Sequence, residues 1–125
     1  MILNWNGREF LEQFLPSVLA STYPSLRVII ADNGSTDDSP EWLSMHYPLV
    51  VQLRSPANEG FAKGYNTALK QVQADYYVLL NSDVQVTPGW IEPVIRLMEE
   101  QPLIAACQPK ILSYHQPELF EYAGG

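Results

Sequence analysis

Two apolar runs that end abruptly in Asp and Asn constrain this chain more than any other feature. Val28-Ile29-Ile30-Ala31 runs into Asp32-Asn33-Gly34-Ser35-Thr36-Asp37, and Tyr76-Tyr77-Val78-Leu79-Leu80 runs into Asn81-Ser82-Asp83. Each reads as a buried strand that delivers polar side chains at its carboxyl end, the edge of an open α/β sheet where ligands bind. Two acidic strand ends facing one crevice suit a metal-bridged phosphate ligand better than a bare anion, which carboxylates alone would repel.

The segments around these runs alternate between strand and helix patterns. Met1 to Asn4 is an apolar stub that ends in the turn cluster Asn4-Trp5-Asn6-Gly7, after which Phe10, Phe14, Leu15, Val18 and Leu19 recur at helical spacing. Tyr23-Pro24-Ser25 ends that helix, and Leu26 to Ala31 predicts a parallel strand covered on both faces. Ser39-Pro40-Glu41 starts a second helix, with Ser as cap, Pro at the first helical position and Glu at the positive end of the dipole; Trp42, Leu43 and Met45 are expected to face inward from it. Further strands are expected at Leu49–Leu53 and Tyr76–Leu80, and a helix at Gly60–Gln73. A fourth helix is expected from Thr87-Pro88-Gly89-Trp90 to about Glu100, then one or two strands between Ile104 and Tyr114, interrupted by Pro109. Repeated β-α units of this length predict an α/β fold: a doubly wound, mostly parallel sheet with helices on both faces and right-handed crossovers. No linker, repeat or low-complexity tract divides the chain, so residues 1–125 read as one domain.

Composition narrows the choice of partner. Seven Lys and Arg against fourteen Asp and Glu give a net charge of -7, which argues against nucleic acid or an anionic membrane surface as principal partner. No apolar stretch approaches the roughly 20 residues of a membrane span, so a transmembrane segment is not expected and any membrane contact would be peripheral. The single cysteine, Cys107, sits in the apolar run Leu103–Cys107 and reads as a small buried hydrophobe; with no intrachain disulfide possible, a cytoplasmic setting is expected.

Within the polar clusters, Asp32 stands out because a carboxylate just after a buried strand can accept a hydrogen bond from a base N–H or a hydroxyl, although Asn, Gly, Ser and Asp also suit an ordinary turn. In Asn58-Glu59-Gly60-Phe61-Ala62-Lys63-Gly64-Tyr65-Asn66, glycines four apart share a helix face and permit close approach, and Lys63 near the helix start could add positive charge beside a phosphate. Plain helix-on-sheet packing explains the same glycines. Asp83 suits a hard divalent ion, which needs only one or two protein carboxylates beside phosphate oxygens; a solvated turn acid is the plainer reading. His46 and His115 have no Cys or Ser partner at suggestive spacing and read as surface residues.

In order and spacing, Ile2-Leu3-Asn4-Trp5-Asn6-Gly7, Asp32-Asn33-Gly34-Ser35-Thr36-Asp37, Asn58 to Asn66, Asn81-Ser82-Asp83 and Pro88-Gly89-Trp90 resemble the nucleotide-sugar-binding half of glycosyltransferase family 2. The resemblance implies the GT-A fold, a Rossmann-like sheet here truncated. It also implies inverting transfer of a sugar from a nucleoside diphosphate, of the UDP or dTDP type, to the hydroxyl of a saccharide or lipid-linked acceptor, as in bacterial cell-surface polysaccharide synthesis. Carried over by motif, Leu3, Asn4 and Asn6 would line the nucleoside and Asp32 would meet the base, with Asn33, Asn58 and Lys63 in the same donor-binding set. Asn81 and Asp83 stand at the family's Asp-any-Asp motif, whose first position is Asn here; Asn81 would bond a ribose hydroxyl and Asp83 would bind Mn or Mg.

This sequence departs from the family in that nothing after Asp83 resembles the acidic general base: Glu92, Glu99 and Glu100 fall in a predicted helix, and Glu118 and Glu121 in a tail before Ala123-Gly124-Gly125. The resemblance therefore implies a base beyond residue 125 and a fragment that binds donor without transferring sugar. A noncatalytic nucleotide-sugar-binding module is the alternative. A phosphoacceptor receiver domain needs an acidic pair where Asn4 and Asn6 stand, and a sugar nucleotidyltransferase needs a Gly-rich basic loop that Asn4-Trp5-Asn6-Gly7 is not.

Overall fold

The computed structural model describes residues 1–122. In chain order the elements are β1 (Ile2–Asn4), α1 (Arg8–Leu19), β2 (Ile29–Asp32), α2 (Ser39–His46), β3 (Val51–Arg54), α3 (Phe61–Leu69), β4 (Leu80–Asn81), α4 (Glu92–Glu100), β5 (Ile111–Leu112) and β6 (Phe120–Tyr122). The first four strands form one sheet in the order β3-β2-β1-β4 with every pairing parallel. β2 lies inside this sheet and is buried at all four positions, as its unbroken apolar run requires.

Alternation along the strands sends successive side chains to opposite faces. Ile2 and Ile30, which are register partners, pack with Leu11, Leu15 and Val18 of α1 and Trp42 and Leu43 of α2. The apolar stripe Leu11, Phe14, Leu15, Val18 has the spacing of one helical face, and all four are buried. Each such side chain contributes about 1.5–3 kcal/mol when fully buried. α3 lies against β1 and β2 through Tyr65 and Ala68, which are buried but outside that cluster, so helices cover both faces. The stretch before α4 is bound to the end of α1: Trp90 Nε1 donates to Ser21 Oγ at 2.9 Å, and Val86 N to Ser17 Oγ at 3.2 Å.

Several elements differ from the sequence reading. Expected over Tyr76–Leu80, the fourth strand is only Leu80–Asn81, paired with Ile2 and Leu3 of β1; ahead of it Val78 O accepts from the Met1 amino group at 2.8 Å. β2 and β3 are also displaced, from Leu26–Ala31 to Ile29–Asp32 and from Leu49–Leu53 to Val51–Arg54. α3 stops at Leu69 instead of Gln73. The N-cap position of α2 is Asp38 instead of Ser39, with no capping hydrogen bond from its side chain, and α4 begins at Glu92, with Thr87 and Trp90 closing a turn before it (Trp90 N to Thr87 O, 3.3 Å). Met45 is exposed where it was expected inside, because it falls outside the arc that Trp42 and Leu43 define on a helix of eight residues.

Beyond α4, Cys107 is exposed, and so is Leu103: the apolar run between them forms no strand among the described residues, and only Ile104 in it is partly covered. Only Ile111–Leu112 of the Ile104–Tyr114 region is a strand, and it pairs antiparallel with β6, which forms in the segment the sequence reading left as a tail. Ala123-Gly124-Gly125, the end of that tail, lies outside the described residues.

Candidate functional site

The chain lays down β1, β2 and β3 in one direction and then returns to place β4 on the other side of β1. Such a reversal opens a crevice at the carboxyl ends of the strands on either side of it. Register fixes what reaches that edge: Asn4 is opposite Asp32, and Leu3 is opposite Asn81. The sheet thus carries Leu3, Asn4, Asp32 and Asn81 to one edge, with Asn33 and Asp83 in the loops just beyond.

Asn4 and Asp32 are both buried, at 0% and 2% exposure, which is tolerable only because they bond each other and the loop after β2. Asn4 Nδ2 donates to Asp32 Oδ1 (3.3 Å) and to Ser35 Oγ (3.2 Å), while Ser35 N donates to Asp32 Oδ2 (3.2 Å). Asn4 Oδ1 has no partner among the described residues. Gly7 leaves room in front of it, since a Cβ there would stand 2.6 Å from that oxygen.

Asn6 is exposed, and its amide reaches across to the second loop: Oδ1 accepts from Thr36 N (2.7 Å) and Asp37 N (3.2 Å). Asp37 in turn accepts from Arg8 N (3.3 Å) and from the N–H and hydroxyl of Ser39, so one carboxylate serves the first turns of both α1 and α2. Partial burial alone would raise the Asp37 pKa; the hydrogen bonds from Ser39 and Arg8 outweigh it and hold the carboxyl below its ordinary value.

Asn33 and Asn58 also come together, as supports for the turn into α3. Asn33 Nδ2 donates to Asn58 Oδ1 (3.0 Å) and Gly60 O (3.1 Å), and its Oδ1 accepts from Glu59 N (3.0 Å). Gly64 packs against the Asn33 side chain, where a Cβ would come within 3.0 Å, as a glycine on a close-approach face should. Gly60 works differently: it precedes the helix at φ 80° with open space around it, so it is the backbone turn that needs glycine there. Lys63 is exposed and pairs with Glu59 at 3.0 Å. The Thr67 hydroxyl and then Lys63 hold the Glu59 carboxyl below its ordinary pKa. Tyr65 O–H donates to Leu80 O at 2.8 Å, tying α3 to β4, and burial raises that phenol's pKa.

Asn81 and Asp83 are exposed at the end of β4, and Asp83 takes part in no ion pair among the described residues. No group of three or more His, Cys, Asp or Glu side chains suited to caging a metal occurs among the described residues. One free carboxylate fits a Mg or Mn ion that arrives with a diphosphate and completes its shell with phosphate oxygens and water.

Sequence reasoning passed over Trp5, Ser35 and the linking role of Asp37. Trp5, 56% exposed, stands between Asn4 and Asn6 in the loop after β1. Its signal was present in the sequence, as a Trp inside a polar turn cluster. The Ser35 and Asp37 contacts join residues far apart in the chain and leave no local pattern.

Comparison with known proteins agrees with this fold. The sequence model of glycosyl transferase family 2 matches residues 1–121. An N-acetylglucosaminyl-diphospho-decaprenol L-rhamnosyltransferase from Mycobacterium tuberculosis is 32% identical over 112 residues, covering 81% of this chain and 36% of the relative. The chain thus spans little more than a third of the length of that curated relative. Residues 1–349 of S. aureus TarS in complex with UDP superpose with a TM-score of 0.71 over 90% of this chain and 38% of that one; at 16% identity the likeness is one of fold. A mannosyltransferase from Pyrobaculum calidifontis in complex with GDP-Man and Mn²⁺ gives a TM-score of 0.59 at 25% identity, covering 67% of this chain and 26% of that one. With the parallel GT-A-type sheet, its switch-point crevice and the match over residues 1–121, the chain belongs to glycosyl transferase family 2.

Proposed function

We propose that this chain is the donor-binding part of an inverting glycosyltransferase that moves a sugar from a nucleoside diphosphate to an acceptor hydroxyl. The observation that carries the reading is the convergence of Asn4, Asp32 and Asn81 on one strand edge, fixed by the Asn4–Asp32 and Leu3–Asn81 registers, with Asp83 just beyond. The nucleoside would lie along Leu3, Asn4 and Asp32. Asp32 would accept from the base, as a carboxylate already held by Asn4 and Ser35 needs no reorganisation to do so. Asn33 and Asn58 would shape the donor pocket by fixing the turn into α3, and Lys63 would add charge at the start of that helix.

Asp83, with Asn81 beside it, would hold Mn or Mg against the diphosphate. When bound, that ion offsets the negative charge that gathers on the leaving diphosphate. UDP or dTDP is the expected nucleotide, and support for a diphosphate donor comes from TarS bound to UDP and the mannosyltransferase bound to GDP-Man. A saccharide or lipid-linked acceptor at the cytoplasmic face of a membrane, in cell-surface polysaccharide synthesis, fits the relative whose name carries a diphospho-decaprenol acceptor. No helix among the described residues is long and apolar enough to cross a membrane.

Calorimetric titration of the chain with UDP and with dTDP, in Mg²⁺, Mn²⁺ and chelator, tests the proposal. Binding that strengthens with metal supports it. No binding of either nucleotide in any of these conditions overturns it.

A further inference from the structure

We infer that Asn6 is a positioning residue for the nucleotide site, acting through the loop after β2 and not by touching the nucleotide. The inference rests on the donor-binding reading above and adds to it a role for one residue. Asn6 is the only non-glycine residue with positive φ among those described, at 50°. That conformation costs most side chains about 1–2 kcal/mol and is tolerated best by Asn and Asp. The turn places the Asn6 side chain against the loop after β2, where Oδ1 accepts from two consecutive backbone N–H groups, Thr36 at 2.7 Å and Asp37 at 3.2 Å. The backbone N–H of Asn6 donates to Ser35 Oγ at 2.9 Å. Ser35 also receives the Asn4 amide and, through its own N–H, holds Asp32 Oδ2.

One continuous path therefore runs from the Asn6 backbone N–H across to Ser35 and on, within the loop after β2, to the Asp32 carboxylate, while the Asn6 side chain holds the next two N–H groups of that same loop. These contacts leave the oxygen of the Asn6 amide occupied and commit its Nδ2 to Thr36 Oγ1 at 3.3 Å. Because Asn6 and Thr36 are exposed, water can satisfy the groups that a substitution frees. Loss of the clamp should therefore loosen the loop more than it unfolds the domain, and the nucleotide must then order the loop as it binds.

The test compares Asn6→Ala, Asn6→Gly and Asn6→Asp with the parent chain, by calorimetric titration with UDP and Mg²⁺ and by amide hydrogen exchange at Thr36 and Asp37. Asn6→Gly keeps the positive φ but removes the acceptor; Asn6→Asp keeps both. The expected result is roughly tenfold weaker binding in the Ala and Gly variants, from two lost hydrogen bonds, with faster exchange at Thr36 and Asp37. Asn6→Asp should recover most of both losses. A direct contact through Nδ2 predicts the opposite, since Asp cannot donate and would repel a diphosphate; Asn6→Asp binding more weakly than Asn6→Ala overturns the inference. Parental affinity in Asn6→Ala overturns it too. If the parent itself binds no nucleotide, the donor reading is what fails, and unchanged exchange at Thr36 and Asp37 in Asn6→Ala would be the separate result that removes the clamp.

Discussion

Asn4 and Asp32 face each other across the β1–β2 register, and the Asn4 amide nitrogen donates to Asp32 Oδ1 at 3.3 Å with both residues almost fully buried. A carboxylate in that position is fixed before any ligand arrives. Its two oxygens are each held by one donor, Asn4 Nδ2 and Ser35 N, which leaves lone pairs for a third.

Asp32→Ala is expected to weaken UDP or dTDP binding by roughly ten- to a hundredfold, the worth of one charge-assisted hydrogen bond. It should also lower stability by about 1–3 kcal/mol, because Asn4 Nδ2 and Ser35 N lose an acceptor in a buried place. Titration calorimetry and denaturant unfolding together check this. Unchanged affinity with reduced stability would make Asp32 a structural residue only.

Asp83→Ala should behave in the opposite way. Asp83 is exposed and outside the ion pairs, so stability should change by less than about 0.5 kcal/mol. The metal-dependent gain in nucleotide affinity should disappear. Equal, chelator-insensitive affinity in parent and variant would remove the metal role.

Acid should erase the contribution of Asp37. Its folded pKa is depressed below the unfolded value of 3.8, so the stabilisation is fully present above that value and is lost as pH falls through the folded pKa. Asp37→Asn should therefore be less stable than the parent at pH 7, by about 1 kcal/mol or less because solvent screens this partly exposed carboxylate. The gap should close as the pH is lowered below 3.8. Thermal melts of both proteins across that range check it; a gap independent of pH would show that the carboxylate's charge is not what matters.

Two glycines with positive φ should respond differently to alanine. At Gly34, φ is 74° and an added Cβ would lie 2.6 Å from Ala57 Cα and 2.7 Å from Asn58 N, both backbone atoms that cannot step aside. At Gly60, φ is 80° but nothing lies within 4 Å. Gly60→Ala should cost only the backbone strain, about 1–2 kcal/mol, and Gly34→Ala clearly more, measured by denaturant midpoints. Equal costs would mean that the contact between the loops after β2 and β3 is loose.

The sequence by itself determined the order of the β-α units, the parallel sheet and the two polar strand ends, because hydrophobic runs and turn residues are local signals that report burial and its termination. It placed Asp32 and Asn81 at strand ends without knowing what lay opposite. Only the tertiary structure decided the pairing: β4 is two residues long, set against Ile2 and Leu3 of β1, and Cys107 is exposed because no strand among the described residues takes up its run. It also decided how Asn6, Asn33 and Asp37 are used, since each spends its polar atoms on a loop or turn that local sequence does not connect to it. Hydrogen bonds between loops depend on where the strands have already brought the backbone, and that position is set by packing across the whole sheet.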